Sequence, residues 1–443
     1  MIVDTIRVSY GDQWGRHHGP THPTPIPASL AERRHAAGVS YTVLLSAQER
    51  PLARGEYWPA HKDWRVYLYD DMGFHVQMID LEPWSGSMMR VYRDSRWEYA
   101  GTETHSDEWA SQKIISISPD GQIEIETASD WSTWLPLAER MWPGRGPFTE
   151  SEIGVTQRFS IGNYPISWPE DDTRPVSATL PTENTHGHTS IVLGIPTPEF
   201  GEWKSIAGLL TSQGHELAST LSFVPDEPEG DWQPLRAVGI EELFTPGATH
   251  TTIDGSAVIA LRDVGVLRVP SGQLAAADPG WIEDNIDERR VVTVPAGEYP
   301  VTLALMRFDD SGARVGGAKM TVTDAPVARW EMALRAAEDP DLLGKDEFYG
   351  VGVDTGVAAF FDATRGPLVD EEGADTFDEQ ILYGGLEGDV VVEVAESDSE
   401  PNLIAFYAGW GDGAYPLWIG RADDGHVCCA VIDFRLKVEE QEE

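Results

Sequence analysis

The chain has 443 residues, 41% hydrophobic and 24% charged, which is more than one hydrophobic core accommodates and predicts two or three domains rather than a disordered chain. Its 74 acidic against 32 basic residues give a formal net charge of −42. That field repels phosphates, and the largest basic groupings are the pairs Arg33-Arg34 and Arg289-Arg290, so nucleic acid and anionic membrane are excluded as expected partners and a basic protein is favoured.

Met1 to Tyr10 carries Asp4 and Arg7 with no apolar run behind it, which is not a secretory signal. No stretch approaches the length of an apolar membrane helix. The two cysteines, Cys428 and Cys429, are adjacent and point to opposite faces of a strand, which suits a reducing compartment. The protein is expected in the cytoplasm.

Residues 1–40 read as an arm and a short helix: a Gly-, Pro- and His-rich stretch over 11–27, then a helix capped by Ser29 and running to about His35. Residues 41–164 read as a β-rich domain. Alternation predicts strands at Trp64–Tyr69, Phe74–Ile79, Met88–Tyr92, Lys113–Ser118 and Gln122–Thr127, and Asp70-Asp-Met-Gly73 and Ser118-Pro-Asp-Gly121 are turns of hairpin type. Trp131, Trp134, Leu135, Ala138 and Trp142 recur at helical spacing over Asp130–Trp142.

The Pro-, Thr- and acid-rich stretch 165–188 reads as a linker or long loop. A small α/β unit follows over 189–245, with strands at Ser190–Leu193 and Ser219–Val224 around a helix at about Glu202–Ser212 and a loop at Pro225–Pro234. Residues 246–437 read as a second β-rich domain with strands at Ala257–Leu261, Val264–Val269, Val291–Val294, Tyr299–Arg307, Val315–Val322, Gly350–Asp354, Val357–Phe361, Val390–Val394, Leu403–Tyr407 and His426–Phe434. One helix interrupts it: Asp324 as cap, Pro326 in the first turn, and Val327, Trp330, Ala333, Leu334 and Ala337 as its buried stripe. An acidic loop spans Asp370–Glu379 and an acidic tail 438–443. The fold class is α+β, predominantly antiparallel β with a few short helices.

Four phrases in the last domain stand out: Val269-Pro-Ser-Gly272 with Asp278-Pro279, Pro295-Ala-Gly-Glu-Tyr-Pro-Val301, Val353-Asp-Thr-Gly356 with Asp362, and Gly409-Trp-Gly-Asp-Gly-Ala-Tyr-Pro416 running to Asp433-Phe434. In this order they resemble the domain-of-unknown-function 4241 family, over roughly residues 250–434. After the long strand the chain departs from that family's phrase, reading Arg314-Val-Gly-Gly317. The resemblance implies a β-rich fold and no particular chemistry. Some members sit in bacterial conflict systems, which implies a binding role of the immunity or toxin–antitoxin kind.

Catalytic signatures are sparse. There is no nucleophile elbow, no Walker loop and no complete dinucleotide fingerprint. Asp354-Thr-Gly356 resembles the phosphate loop of actin-like ATPases but lacks a basic partner, so a hairpin turn is the expected reading. Asp354, Asp362, Asp412 and Asp433 are the candidate catalytic carboxylates, able to hold a divalent cation if the fold gathers them. His17, His18 and His22, and also His186 and His188, have metal-ligand spacings but lie on expected loops, and no cofactor is predicted.

The candidate binding residues are aromatic: Trp84, Trp97, Trp109, Trp131, Trp410 and Tyr415, from a chain with 16 Trp whose first domain also holds Trp58, Trp64 and Trp134. These observations favour a non-enzymatic binding protein that meets a basic protein partner. The alternatives are a metal-assisted hydrolase built on the carboxylates, and a structural subunit that docks through residues 11–27 and 165–188.

Overall fold

The structure is a computed structural model describing residues 3–12, 24–85, 87–99, 109–119, 122–128, 157–160, 176–180, 189–212, 215–230, 232–253, 255–282, 289–308, 312–365, 377, 381–382, 386, 389–395 and 401–436. Its described elements are mostly antiparallel strands with three short α-helices, Ala28–Ala37, Lys204–Ser212 and Ile240–Leu243. The chain divides into two units, Met1–Trp232 and Gln233–Glu443.

The first unit is built on one sheet. Consecutive strands from Tyr41–Ala47 to Gln122–Ala128 form an antiparallel meander, as alternation predicts. The turn at Asp70–Gly73 follows its sequence: the Asp70 carboxylate accepts from the amides of Met72 and Phe74, and Gly73 takes a φ of 86°. On the far edge Val3–Gly11 pairs antiparallel with Tyr41–Ala47 and parallel with Leu217–Pro225. The inward residues of these strands, among them Val43, Leu45, Trp64, Val66, Ile79 and Val91, are buried against Leu30 and Trp203 in one core.

The second unit holds two larger sheet systems. Long strands Gly255–Val269, Gly297–Phe308, Gly312–Thr321, Val427–Asp433 and Gly413–Arg421 run side by side, and a five-stranded sheet carries Arg290–Thr293, Gln273–Ala277, Val357–Asp362, Leu403–Tyr407 and Val391–Val394. Phe360, Phe406 and Phe434 stack edge to face in its core.

Several expectations are corrected. The first helix starts at Ala28 behind Pro27, which makes no side-chain cap, so Ser29 lies inside it. The strands expected at Ala257–Leu261 and Val264–Val269 are one strand with a bulge between Asp263 and Gly265. The expected linker 165–188 contains the strand Val176–Leu180, which pairs with Thr189–Pro196 and so belongs to the first sheet. The division instead falls at Trp232, within the loop read at Pro225–Pro234.

The helix expected after Asp324 is a loop and a strand, Arg329–Met332, paired with Gly413–Arg421. The physical reason is Gly420: a Cβ there would lie 2.8 Å from Val327 and 3.1 Å from the Trp330 ring, so this gap receives the two side chains that sequence spacing places on a helical stripe. Gly413–Arg421 itself, with Pro416 inside it, was not legible as a strand. The helix expected at Asp130–Trp142, the acidic tail and most of the Asp370–Glu379 loop lie outside the described residues.

The pair Arg289-Arg290 is structural. Both are buried, and Arg290 donates to the carbonyls of Gly350 and Ala333 and to both Glu338 oxygens at 2.6 and 2.7 Å. Burial raises the Glu338 carboxyl, but its hydrogen bonds to Arg290 and the Arg335 amide outweigh that and hold it below the usual range. Arg290→Ala should cost about 1–3 kcal/mol of unfolding free energy in denaturant titration, because it takes the donor from the Gly350 and Ala333 carbonyls and one of two arginines from Glu338, which Arg335 still holds. A cost below about 1 kcal/mol would contradict this role.

Candidate functional site

Two of the four phrases of the second unit meet at two buried carboxylates, Asp278 and Asp362, neither of them paired with a cation among the described residues. Asp278 accepts four hydrogen bonds at 2.8 Å: from the Gly280 amide and the Thr355 hydroxyl at Oδ1, and from the Asp354 and Thr355 amides at Oδ2. The Asp354-Thr-Gly356 turn therefore does cradle an anion, but the anion is the protein's own side chain. A phosphate would have to displace it.

Asp362, fully buried, accepts from the amides of Ser271 and Thr364 and from the Thr364 hydroxyl. Burial alone would raise its carboxyl; those hydrogen bonds outweigh it and hold it below the usual carboxylate range. The remaining phrases serve turns: the Tyr299 hydroxyl donates to the Pro295 carbonyl and the Tyr415 hydroxyl to the Gly411 carbonyl.

The candidate carboxylates are thus used separately. Asp354 is exposed at its turn, Asp362 caps a loop, Asp412 is exposed, and Asp433 accepts from the Arg435 amide. Among the described residues no three His, Cys, Asp or Glu side chains come together as a metal site. His17, His18, His22, His186 and His188 lie outside the described residues. Cys428 and Cys429 are both buried and unbridged, and burial pushes the Cys429 thiol up to about 11, away from thiolate chemistry.

The first unit presents a different arrangement. Alternation puts Arg54, Glu56 and Trp58 on the outer face of one strand, opposite Tyr67, Arg65 and Asp63 on the next, with Asp80 opposite Arg65. Arg54 bridges Glu56 at 3.0 Å and lies 4.4 Å over the Tyr67 ring, Arg65 bridges Asp80 at 2.6 Å, and Arg90 pairs with Glu82. The arginines of this face are spent on their neighbours.

At the end of the meander where strand Arg50–Trp58 finishes and strand His75–Ser85 also finishes, Trp58 and Trp84 stand 45% and 47% exposed. Asp63 faces Trp58 across the ladder. Burial raises its carboxyl first; His61 lowers it, and the charges of Glu82 and Asp80 raise it further. The same end thus combines two exposed indoles with the Asp63 carboxylate, while Asp80 and Glu82 are held by Arg65 and Arg90.

Of the aromatic candidates, Trp84 is at this end. Trp97 is half-buried edge to face on His75, at 4.8 Å. Trp410 is 37% exposed with the Arg314 guanidinium 5.2 Å over its ring, and Tyr415 is buried edge to face on Phe434. Trp109 begins a strand, and Trp131 lies outside the described residues. Trp58 is one of the further first-domain tryptophans named beside the six candidates. Its signal was its place as the last alternating residue before a turn.

An antiparallel β protein with internally held carboxylates and no assembled catalytic centre among its described residues is the class these features define. Residues 267–432 match the family model described as protein of unknown function (DUF4241), and no family model matches the first half. No curated protein matches the chain, and no solved structure does.

Asp278→Ala should lower unfolding free energy by about 3 kcal/mol in denaturant titration, since it leaves four donors unmatched; a neutral effect would mean that the turn holds without it. Asp362, with its folded pKa depressed, contributes stability that is present above about pH 4 and lost as pH falls through the folded value. Asp362→Asn should flatten that acid limb in pH-dependent melting, and an unchanged limb would contradict the assignment.

Proposed function

We propose that this protein is a non-catalytic binding protein that acts inside the cell, presenting an acidic, tryptophan-bearing surface to a basic protein partner in the manner of an immunity or inhibitor protein. The observation that carries this reading is the exposure of Trp58 and Trp84 at one end of the first sheet, with the Asp63 carboxylate across the ladder from Trp58. The chain's net charge of −42 supplies a long-range field that draws in a cation-rich surface. Indoles then bury apolar area at low entropic cost and slow release.

The buried, unbridged Cys428 and Cys429 support a reducing compartment. No helix of the described residues is long and apolar enough to cross a membrane. The second unit resembles a family of unknown function, some of whose members sit in bacterial conflict systems, and this is the ground for preferring the inhibitor reading to a docking subunit. No specific observation favours the hydrolase alternative, whose four carboxylates are each engaged or exposed apart.

The test is capture of the partner from native lysate, followed by binding kinetics of variants. Trp58→Ala and Trp84→Ala should each weaken binding by about 1–3 kcal/mol, mostly through faster dissociation, with unchanged melting temperature. Wild-type affinity in the double variant would overturn the reading.

A further inference from the structure

The helix Ala28–Ala37 ends on the strand that carries Trp58. Its last turn places the His35 imidazole among three rings of the first unit, with centroids 5.2 Å from Tyr57, 5.9 Å from Tyr41 and 6.1 Å from Phe200. The His35 carbonyl accepts from the amide of Gly38, which closes the helix at a left-handed φ of 67°. A Cβ on Gly38 would lie 3.9 Å from the Cβ of Pro59. The helix end therefore meets Tyr57 and Pro59, the residues on either side of Trp58. Trp58 itself is turned by strand alternation to the opposite, exposed face.

One hydrogen bond fixes the charge that this contact tolerates. Tyr41 is fully buried, and its hydroxyl lies 3.1 Å from His35 Nδ1 and has no other partner among the described residues. In the neutral imidazole with its proton on Nε2, Nδ1 accepts from that hydroxyl. A second proton takes the Nδ1 lone pair, and the buried hydroxyl hydrogen loses its acceptor. Tyr41 and Tyr57 face the imidazole from the sheet and the Glu199 carboxylate acts on it from the segment ahead of the second helix, while its own helix adds Glu32 and Arg34. Burial lowers His35 and the Glu199 charge raises it, burial prevailing. A histidine depressed in this way contributes stability that is present in full above about pH 6.5 and lost as pH falls through the folded value.

We propose that His35 is an acid-sensitive switch for the Trp58 surface: neutral, it seats the helix end on Tyr57 and Pro59 and holds the corner that presents Trp58; protonated, it frees that corner and a basic partner is released. The release rests on the reading of Trp58 as a partner anchor. The coupling of His35 to Trp58 is a property of the free chain.

The experiment is a pH titration of the full chain by NMR with labelled histidine rings and tryptophan indoles, the Trp58 resonance being assigned with Trp58→Phe. The Trp58 indole should shift with the same midpoint as the His35 ring, below about pH 6.5. His35→Gln, whose side-chain oxygen still accepts from Tyr41, should abolish that shift, and His61→Gln, which removes the exposed histidine of the adjoining turn, should leave it. With the captured partner, acidification over the same range should speed dissociation about ten-fold from wild type and leave it unchanged from His35→Gln. A Trp58 resonance that ignores the His35 titration, or that still titrates in His35→Gln, would overturn the proposal, and the wild-type comparison of midpoints decides this even should the variant fail to fold. Wild-type partner affinity in Trp58→Ala overturns instead the reading of the surface, and with it the release, while the coupling stands.

Discussion

A buried carboxylate must be given donors, and a chain with 74 acidic and 32 basic residues cannot supply a cation to every one. The two units meet this constraint differently. In the first, arginines do the work: Arg65 holds Asp80, and Arg96 holds Asp94 together with Gln77. In the second, Arg290 holds Glu338, but Asp278 and Asp362 are held by backbone amides and threonine hydroxyls. The turns that carry those amides are fixed in consequence, and the exposed remainder of the acidic side chains sets the sign of the surface field.

This accounts for the character of the distinctive phrases in the second unit. Asp278 reaches the turn at Asp354 and Thr355, and Asp362 reaches Ser271, so residues far apart in sequence tie the strand ends together. A loop with the look of a phosphate cradle is filled from within. Chemistry that would need a free anion site at that turn is thereby excluded for as long as Asp278 stays in place.

Much of the fold was legible because period-two alternation is a local signal, and the described strands from Asp63–Tyr69 to Gln122–Ala128 follow it. What was not legible depended on distant partners. The stripe at Val327 and Trp330 has helical spacing, yet its place is over Gly420, which no local pattern announces. The strand Gly413–Arg421 forms with Pro416 inside it, a residue that breaks the usual strand pattern. Of the four candidate carboxylates only Asp362 is one of the two buried ones; Asp278 was visible only as part of a phrase, because its donors are backbone amides and a threonine hydroxyl that a sequence cannot display. That Trp58 and Trp84 are exposed and Tyr415 is buried depends on which strand ends project and which pack.

The proposed recognition combines an acidic field that steers with exposed indoles that hold, while arginines of the outer face are engaged with neighbouring carboxylates. The most direct test is the association rate of the captured partner measured by stopped flow across rising ionic strength. Steering by the acidic surface predicts a rate that falls steeply as salt screens the field, while the dissociation rate changes little. An association rate indifferent to salt would contradict the account, because recognition would then owe nothing to the charge that most distinguishes this chain.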